Sequence, residues 1–335
     1  MLVDYNYKLQ NVKLSDVDVD GKYIVPYGVK SIGNSCFASL THLRTVVLPN
    51  TIESIGDQAF YGCVNLESIT IPNSVVRMGQ FAFESCSSLT SITLSNALEV
   101  IQIGAFQHCT TLDNVVVPES VKEIEDRAFY HCSNLQQIEL PDTVKAIGPG
   151  AFAFCTSLER IRIPDAVSVI DSELFCVCKN LKEIILPDSI QRIYRESFAH
   201  CPALVNIELP NALKSIGHFA FHGCTNLASV TIPDAVDTIC QSAFRDCTAL
   251  ESVSIPKNIK RIENFAFNGC SSLKSITLPL GTYCWAETFE GCHPDFKIER
   301  PIPYHANTND AFNAAINSKF SNRENEDLSI DEAER

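Results

Sequence analysis

Apolar and polar residues follow a pattern that recurs every 23 residues along the chain. In residues 66–88, Ile69 and Ile71 are separated by hydroxyl-bearing residues, the alternation of a strand with one buried face. Pro72 follows and ends the strand, because proline has no N–H to donate to a ladder. We therefore predict one short strand at the start of every 23-residue unit.

A second apolar pair and then a segment with helical spacing follow the strand. Ile52 and Ile55 form such a pair, whereas Ala59, Cys63 and Leu66 lie four and three residues apart. The latter spacing is typical of one face of a short helix or 3-10 turn. We therefore expect short helical or 3-10 segments on the side of each unit opposite its strand.

A strict period of 23 residues indicates a solenoid. One unit has too few apolar side chains to offset the conformational entropy of its ordered residues, so neighbouring units must cover both of its faces. We predict eleven stacked coils whose strands form a parallel ladder. The column of phenylalanines shows the period most clearly: Phe37, Phe60, Phe83, Phe106, Phe129, Phe152, Phe175, Phe198, Phe221, Phe244 and Phe267.

The two ends of the chain depart from the repeat. Residues 1–22 lack the pattern and are predicted to cap the first coil, and the solenoid is predicted to span 23–302. Its last coil is irregular, with Phe289 and Cys292 each one residue early, as expected of a terminal repeat. Residues 303–335 are predicted to form a short helix followed by an acidic, disordered tail.

The coil L-x-x-I-x-I-P-x-x-V-x-x-I-G-x-x-A-F-x-x-C-x-x resembles the BspA-like (TpLRR-class) leucine-rich repeats, known from bacterial surface proteins and from expanded protist families. The likeness covers roughly residues 23–300 and is specific in its Pro, Ala-Phe and Cys positions. It implies an α/β solenoid, a curved right-handed superhelix with a concave parallel β-sheet and short helical or 3-10 segments on the convex side. It also implies adhesion or other protein recognition, without enzymatic activity.

The charge balance excludes several classes of partner. The net charge is −14, which argues against binding to nucleic acid or to an anionic membrane surface. No run of 18 apolar residues exists, so membrane insertion is not expected. The first twenty residues contain no apolar run typical of a secretory signal, which favours a cytoplasmic protein. Export to the cell surface by an unrecognised route is the alternative.

Fifteen cysteines occur in the chain, and ten of them form a column. Leu40 takes the corresponding place in the first coil, which indicates a small hydrophobic site that a free thiol can fill. We predict reduced core thiols and a reducing compartment, with occasional disulfide pairing or metal binding as alternatives. The column comprises Cys63, Cys86, Cys109, Cys132, Cys155, Cys178, Cys201, Cys224, Cys247 and Cys270.

No motif for catalysis or cofactor binding is present. Phosphate-binding glycine loops, HExxH, Gly-x-Ser-x-Gly and CxxC pairs are all missing from the sequence. Three His-Cys pairs suggest metal at first sight, but sequence neighbours point in opposite directions and cannot converge on one ion. We therefore expect neither an enzyme, a cofactor nor a metal. The pairs are His108–Cys109, His131–Cys132 and His200–Cys201.

The outward positions of the middle four strands form the candidate site. Ser and Thr dominate these positions near both ends of the solenoid, whereas charged and amide groups replace them in the middle. Two interpretations remain open: a surface ion network that satisfies itself, or a patch that binds a protein partner. An adhesive or structural repeat without a single partner is the alternative function. The candidate residues are Gln137, Glu139, Arg160, Arg162, Glu183, Ile185, Asn206 and Glu208.

A second anomaly lies immediately before the cysteine column. Phe154 and Val177 occupy a position where other coils have small or polar residues. They could form an apolar contact between two copies of the chain, or they could pack locally. The sequence favours local packing and therefore a monomer.

Overall fold

The computed structural model describes residues 3–4 and 6–300, which form a parallel-stranded solenoid of about 13 turns. Each turn adds a strand of three residues to a first ladder, and most turns add a strand of two residues to a second ladder. Neighbouring turns pair one repeat apart, as Ser68 with Ser91 and Ile55 with Met78 show. The predicted register of the repeat is thus the register of the sheets.

The first ladder is an eight-stranded parallel sheet that ends at Ile185, followed by two sheets of two strands. Among the described turns, the one that contains residues 206–208 contributes no strand, and this interrupts the ladder. The strands are Lys22–Ile24, Thr45–Val47, Ser68–Thr70, Ser91–Thr93, Asn114–Val116, Gln137–Glu139, Arg160–Arg162, Glu183–Ile185, Ser229–Thr231, Ser252–Ser254, Ser275–Thr277 and Lys297–Glu299.

The second ladder is divided into sheets of four, three and six strands. Each of its strands is only two residues long, because one inward and one outward residue are enough to turn the chain at this side of a narrow coil. The strands are Lys8–Leu9, Ser31–Ile32, Ser54–Ile55, Arg77–Met78, Val100–Ile101, Glu123–Ile124, Ala146–Ile147, Val169–Ile170, Arg192–Ile193, Ser215–Ile216, Thr238–Ile239, Arg261–Ile262 and Tyr283–Cys284.

A continuous column of phenylalanine rings fills the interior. Ring centroids from Phe37 to Phe267 are 4.9–5.8 Å apart, with planes inclined by no more than 18°. Phe289 extends the column at 5.7 Å from Phe267, so the one-residue shortening of the last coil preserves the stack. Offset stacking of this kind adds to the gain from burial, and it couples each turn to both of its neighbours.

The predicted helical segments opposite the first ladder do not form, so this part of the α/β prediction was wrong. The segment from Gly56 to Cys63 is a chain of turns. Its N–H groups alternate: that of Tyr61 donates to Gln58 within the turn, and that of Phe60 donates to Ala82 in the next turn. Gln58 also has a positive φ of 55°. A helix needs every N–H locally and a negative φ throughout, so coil-to-coil bonding excludes it.

Helical structure among the described residues is limited to one 3-10 turn, Leu14–Asp16. It belongs to the N-terminal segment, in which Lys8–Leu9 pairs with Ser31–Ile32 and buries Leu9 completely against the first turn. At the other end, Lys297–Glu299 pairs with Ser275–Thr277. The helix and tail predicted for 303–335 lie outside the described residues.

Candidate functional site

The outward side chains of the middle strands surround an open groove on the first ladder. Its volume is about 430 Å³. Strand alternation creates it: Ile138 and Ile161 point into the core with 4% exposure each, which sends their neighbours outward. Six of the eight predicted site residues line this groove: Gln137, Glu139, Arg160, Arg162, Glu183 and Ile185.

Arg162 forms ion pairs beyond the strand row. Its guanidinium lies 2.6 Å from Asp142 and 3.0 Å from Asp165, two carboxylates in the turns that follow the strand prolines. The hydrogen bond from Arg162 to Asp142 raises the pKa of the guanidinium above its ordinary value. Arg162 is therefore held in place by residues that the analysis of strand positions had not considered.

Arg160 differs from Arg162, although both lie on the same strand. Its Cα position pairs with those of Gln137 and Glu183, but no ion pair joins it to Glu139, to Glu183 or to any other described residue. The hypothesis of a closed ion network among the strand charges is therefore wrong for Arg160. This guanidinium and the two glutamates are oriented toward solvent above the groove.

The remaining two predicted residues lie beside the groove without lining it. Asn206 and Glu208 belong to the turn that has no first-ladder strand, next to the edge strand Glu183–Ile185. Val205 in the same turn is 46% exposed, and Ile185 is 51% exposed. Two apolar side chains thus remain in water at the interruption of the ladder.

Phe154 and Val177 pack locally on the outer side of the turns. With Tyr130 they are partly buried against a small cluster formed by Ala153, Cys176 and Ala199. The Phe154 ring lies 5.2 Å from that of Tyr130. Both anomalous residues have a φ of 61°, the left-handed conformation of the residue before each column cysteine. That conformation explains why most coils have glycine, serine or histidine there.

The column cysteines are buried free thiols, as predicted. Each Sγ lies 3.0–3.2 Å from the carbonyl oxygen of the phenylalanine one turn earlier, as Cys63 does with Phe37, and donates a hydrogen bond to it. A leucine would fill the same space without donating, which explains the preference for cysteine. Burial raises the pKa of Cys63, Cys155 and Cys224 to about 12.

The histidines before the column do not converge with their cysteine neighbours. The rings of His108 and His131 are 5.1 Å apart on the outer side of the turns, whereas Cys109 and Cys132 are fully buried. Partial burial, with the adjacent His131, lowers the pKa of His108. A neutral ring therefore predominates at this position near neutral pH.

One group of possible metal ligands was missed by the sequence analysis. His218, Cys240 and Glu263 come from three consecutive turns, and their ligand atoms all lie within 4.8 Å of one another. Burial, together with the charge of Glu263, raises the pKa of Cys240 to about 11. The available signal was a run of substitutions at a glycine position in consecutive repeats, which the column-by-column comparison of cysteines did not show.

Comparison with known proteins agrees with this architecture. A leucine-rich repeat protein from Bacteroides ovatus is 25% identical, over 84% of this chain and 84% of that chain, with a TM-score of 0.61. The leucine-rich repeat protein of T. pallidum is 31% identical, over 61% of this chain and 94% of that chain, with a TM-score of 0.49. The pneumococcal vaccine antigen PcpA is 18% identical, over 84% and 80%, with a TM-score of 0.54.

The family assignment rests on a sequence profile of the BspA type leucine rich repeat region. It matches residues 21–132, 100–207 and 191–317, which together make up most of the chain. No curated protein sequence matches the chain. Within the described part of the structure, no helix has the length and apolar character needed to cross a membrane. The chain belongs to the BspA-type leucine-rich repeat family.

Proposed function

We propose that this protein is a non-enzymatic binding module that presents the groove of the first ladder to a protein partner. The observation that carries the proposal is the groove itself, in which Arg160 lies without an ion pair beside the exposed Ile185. Arginine and large apolar residues are favoured at the centres of protein interfaces. Asn206 and Glu208 would extend the same surface across the interruption of the ladder.

The groove also supports the finer features of the fold prediction. We propose that the first ladder is the concave face of a curved right-handed superhelix, since a depression of about 430 Å³ lies across three of its strands. Residues 1–22 would cap the solenoid, 23–302 would form it, and 303–335 would be an appended segment. A protein partner fits this surface better than nucleic acid does, because the net charge of the chain is −14.

The experiment compares binding and stability in the same variants. Arg160→Glu with Arg162→Glu should abolish capture of a stoichiometric protein partner by the full chain. The melting temperature should change little, because exposed ion pairs such as those of Arg162 contribute about 0–1 kcal/mol each. Arg160→Ala alone should weaken binding by about 30-fold if Arg160 is an interface hot spot.

Arg192→Glu is the matched control. Arg192 is an exposed strand arginine of the second ladder, so the same charge reversal is made away from the groove. Capture should survive this change. Equal loss of capture in the control, or full capture by the double variant, would remove the groove from consideration.

An adhesive repeat without a single partner is the second candidate. The outward positions of Ser68–Thr70 and Ser91–Thr93, and of Ser229–Thr231 and Ser252–Ser254, form rows of exposed hydroxyl groups that favour it. An adhesive surface of this kind would act through repetition. Weak binding that survives Arg160→Glu and falls in proportion to the number of coils would support this function instead.

We further propose that the chain works in a reducing, cytoplasmic compartment. Twelve of its fifteen cysteines are buried as free thiols, and the column thiols donate hydrogen bonds that oxidation would remove. Alkylation of the denatured protein from its own cells should modify all fifteen thiols. Systematic protection of column cysteines by disulfides would instead favour the cell surface.

A further inference from the structure

Three potential metal ligands meet at one end of the second ladder. The strands Ser215–Ile216, Thr238–Ile239 and Arg261–Ile262 are neighbours in a parallel sheet, so their carboxyl ends lie at the same edge. Cys240 and Glu263 directly follow the second and third of these strands, and His218 follows the first by two residues. Consecutive turns therefore place an imidazole, a thiol and a carboxylate side by side.

The glycine position at which Cys240 and Glu263 stand explains why the three side chains converge. At Gly217, the equivalent residue one turn earlier, an added Cβ would lie 2.7 Å from the carbonyl carbon of Tyr194 in the preceding turn. A side chain in this column is thus directed over the turn before it. Glu263 shows this directly, because its Oε2 accepts a hydrogen bond of 3.0 Å from the backbone N–H of Gln241.

The distances suit a tetrahedral ion. The Nδ1 of His218 is 4.0 Å from the Oε2 of Glu263, and the Sγ of Cys240 lies within 4.8 Å of both. Zinc bound to nitrogen, sulfur and oxygen ligands at about 2.0–2.3 Å holds them about 3.3–3.8 Å apart. Rotamer adjustments of less than about 1 Å would close the site, and His218 is half-exposed and free to make them.

We propose that His218, Cys240 and Glu263 form a Zn²⁺ site. The Nδ1 of His218, the Sγ of Cys240 as thiolate and the Oε2 of Glu263 supply three ligands, and a water molecule completes the tetrahedron. This ligand set suits zinc better than calcium or magnesium, because those ions require oxygen ligands almost exclusively. The site lies on the second ladder and is independent of the groove.

The hydrogen bond made by Glu263 has a structural counterpart elsewhere in the chain. Glu125 occupies the same position in an earlier turn, and its Oε2 accepts the backbone N–H of Ile103 at 3.0 Å. Capping the turn therefore accounts for a glutamate in this column, but it does not account for His218 and Cys240 beside Glu263. Glu125 consequently provides a control with the same local role.

The test uses the full chain, reduced and stripped of metal, titrated with Zn²⁺ and with Co²⁺. One equivalent should bind, with release of the Cys240 proton and a sulfur-to-cobalt charge-transfer absorption in the near ultraviolet. Cys240→Ser should abolish that absorption. Cys240→Ser and His218→Gln should each lower zinc affinity by about 100-fold, and Glu263→Gln, which keeps an oxygen for the Gln241 N–H, by about tenfold or more.

Two variants serve as matched controls. Glu125→Gln removes the equivalent charge in a turn without the two other ligands, and Cys284→Ser removes another partly buried thiol. Both should bind zinc like the unaltered chain, and all variants should share its circular dichroism spectrum. Absence of the cobalt–thiolate absorption from the unaltered chain would overturn the proposal. Zinc affinity that is unchanged by Cys240→Ser and His218→Gln would overturn it equally.

Discussion

Alkaline pH should unfold this solenoid steeply, because its core contains a column of ten buried thiols. In the folded chain, burial raises the pKa of Cys63, Cys155 and Cys224 to about 12, from an ordinary value of 9.0 that the unfolded chain approaches. Between these values the folded state retains protons that the unfolded state loses. The thiols therefore leave stability unaffected below pH 8 and reduce it progressively above pH 9.

The magnitude follows from linkage. A thiol that ionises only in the unfolded chain destabilises the fold by about 0.4 kcal/mol at pH 9 and about 1.4 kcal/mol at pH 10. Ten such thiols give a loss on the order of 14 kcal/mol at pH 10, which is comparable with the whole stability of an ordinary domain. We expect urea unfolding under reducing conditions to show a nearly constant stability from pH 7 to pH 8 and a rapid fall above pH 9.

A pair of variants isolates the contribution of one thiol. Cys155→Ala removes a titrating group, so its destabilisation should be about 0.8 kcal/mol smaller at pH 9.5 than at pH 7.5. Leu158→Val alters a fully buried apolar residue of the same turn and should have the same cost at both pH values. Identical pH trends in the two variants, or constant stability of the unaltered chain up to pH 10, would refute the reasoning.

Two further predictions concern packing. Phe83→Ala should cost about 3–5 kcal/mol in the free energy of unfolding, because its ring is fully buried between two stacked neighbours, whereas Phe81→Ala in the same turn should cost about 1 kcal/mol or less, since Phe81 is partly exposed at a φ of 54°; similar losses in chemical denaturation would contradict the proposed role of the column. Gly56→Ala should destabilise by about 1–3 kcal/mol, because the added Cβ would contact the side-chain oxygen of Asn34 and lie 2.7 Å from its backbone nitrogen; a neutral effect on the melting temperature would show that the turns can separate there.

The sequence predicted those features that repeat. Alternation in the unit of Ile69 gave the first ladder, and the period of 23 gave the register and the buried columns. The helical segments could not be excluded in the same way, because the spacing of Ala59 and Cys63 fits both a helix and a chain of turns. The difference lies in backbone bonds to the next turn, such as that from Phe60 to Ala82, which leave no trace in side-chain spacing.

The details of the candidate site were less predictable than the fold. The groove was anticipated in part, since strand alternation fixes which side chains point outward. The partners of Arg162 were not, because Asp142 and Asp165 lie after the strand prolines, in positions that the comparison of strand rows omits. The missing strand near Asn206 has no evident cause in its residues, whose pattern matches that of the other coils.

Each thiol bond from a column cysteine to the phenylalanine 26 residues earlier has a consequence for how such a chain can change in length. An inserted or deleted residue within a coil would move every later thiol away from its carbonyl, whereas duplication of a whole coil would leave all contacts equivalent. Genetic variation in coil number should therefore occur in steps of 23 residues. Such steps would widen or narrow the outward surface by one strand at a time while the interior stays the same.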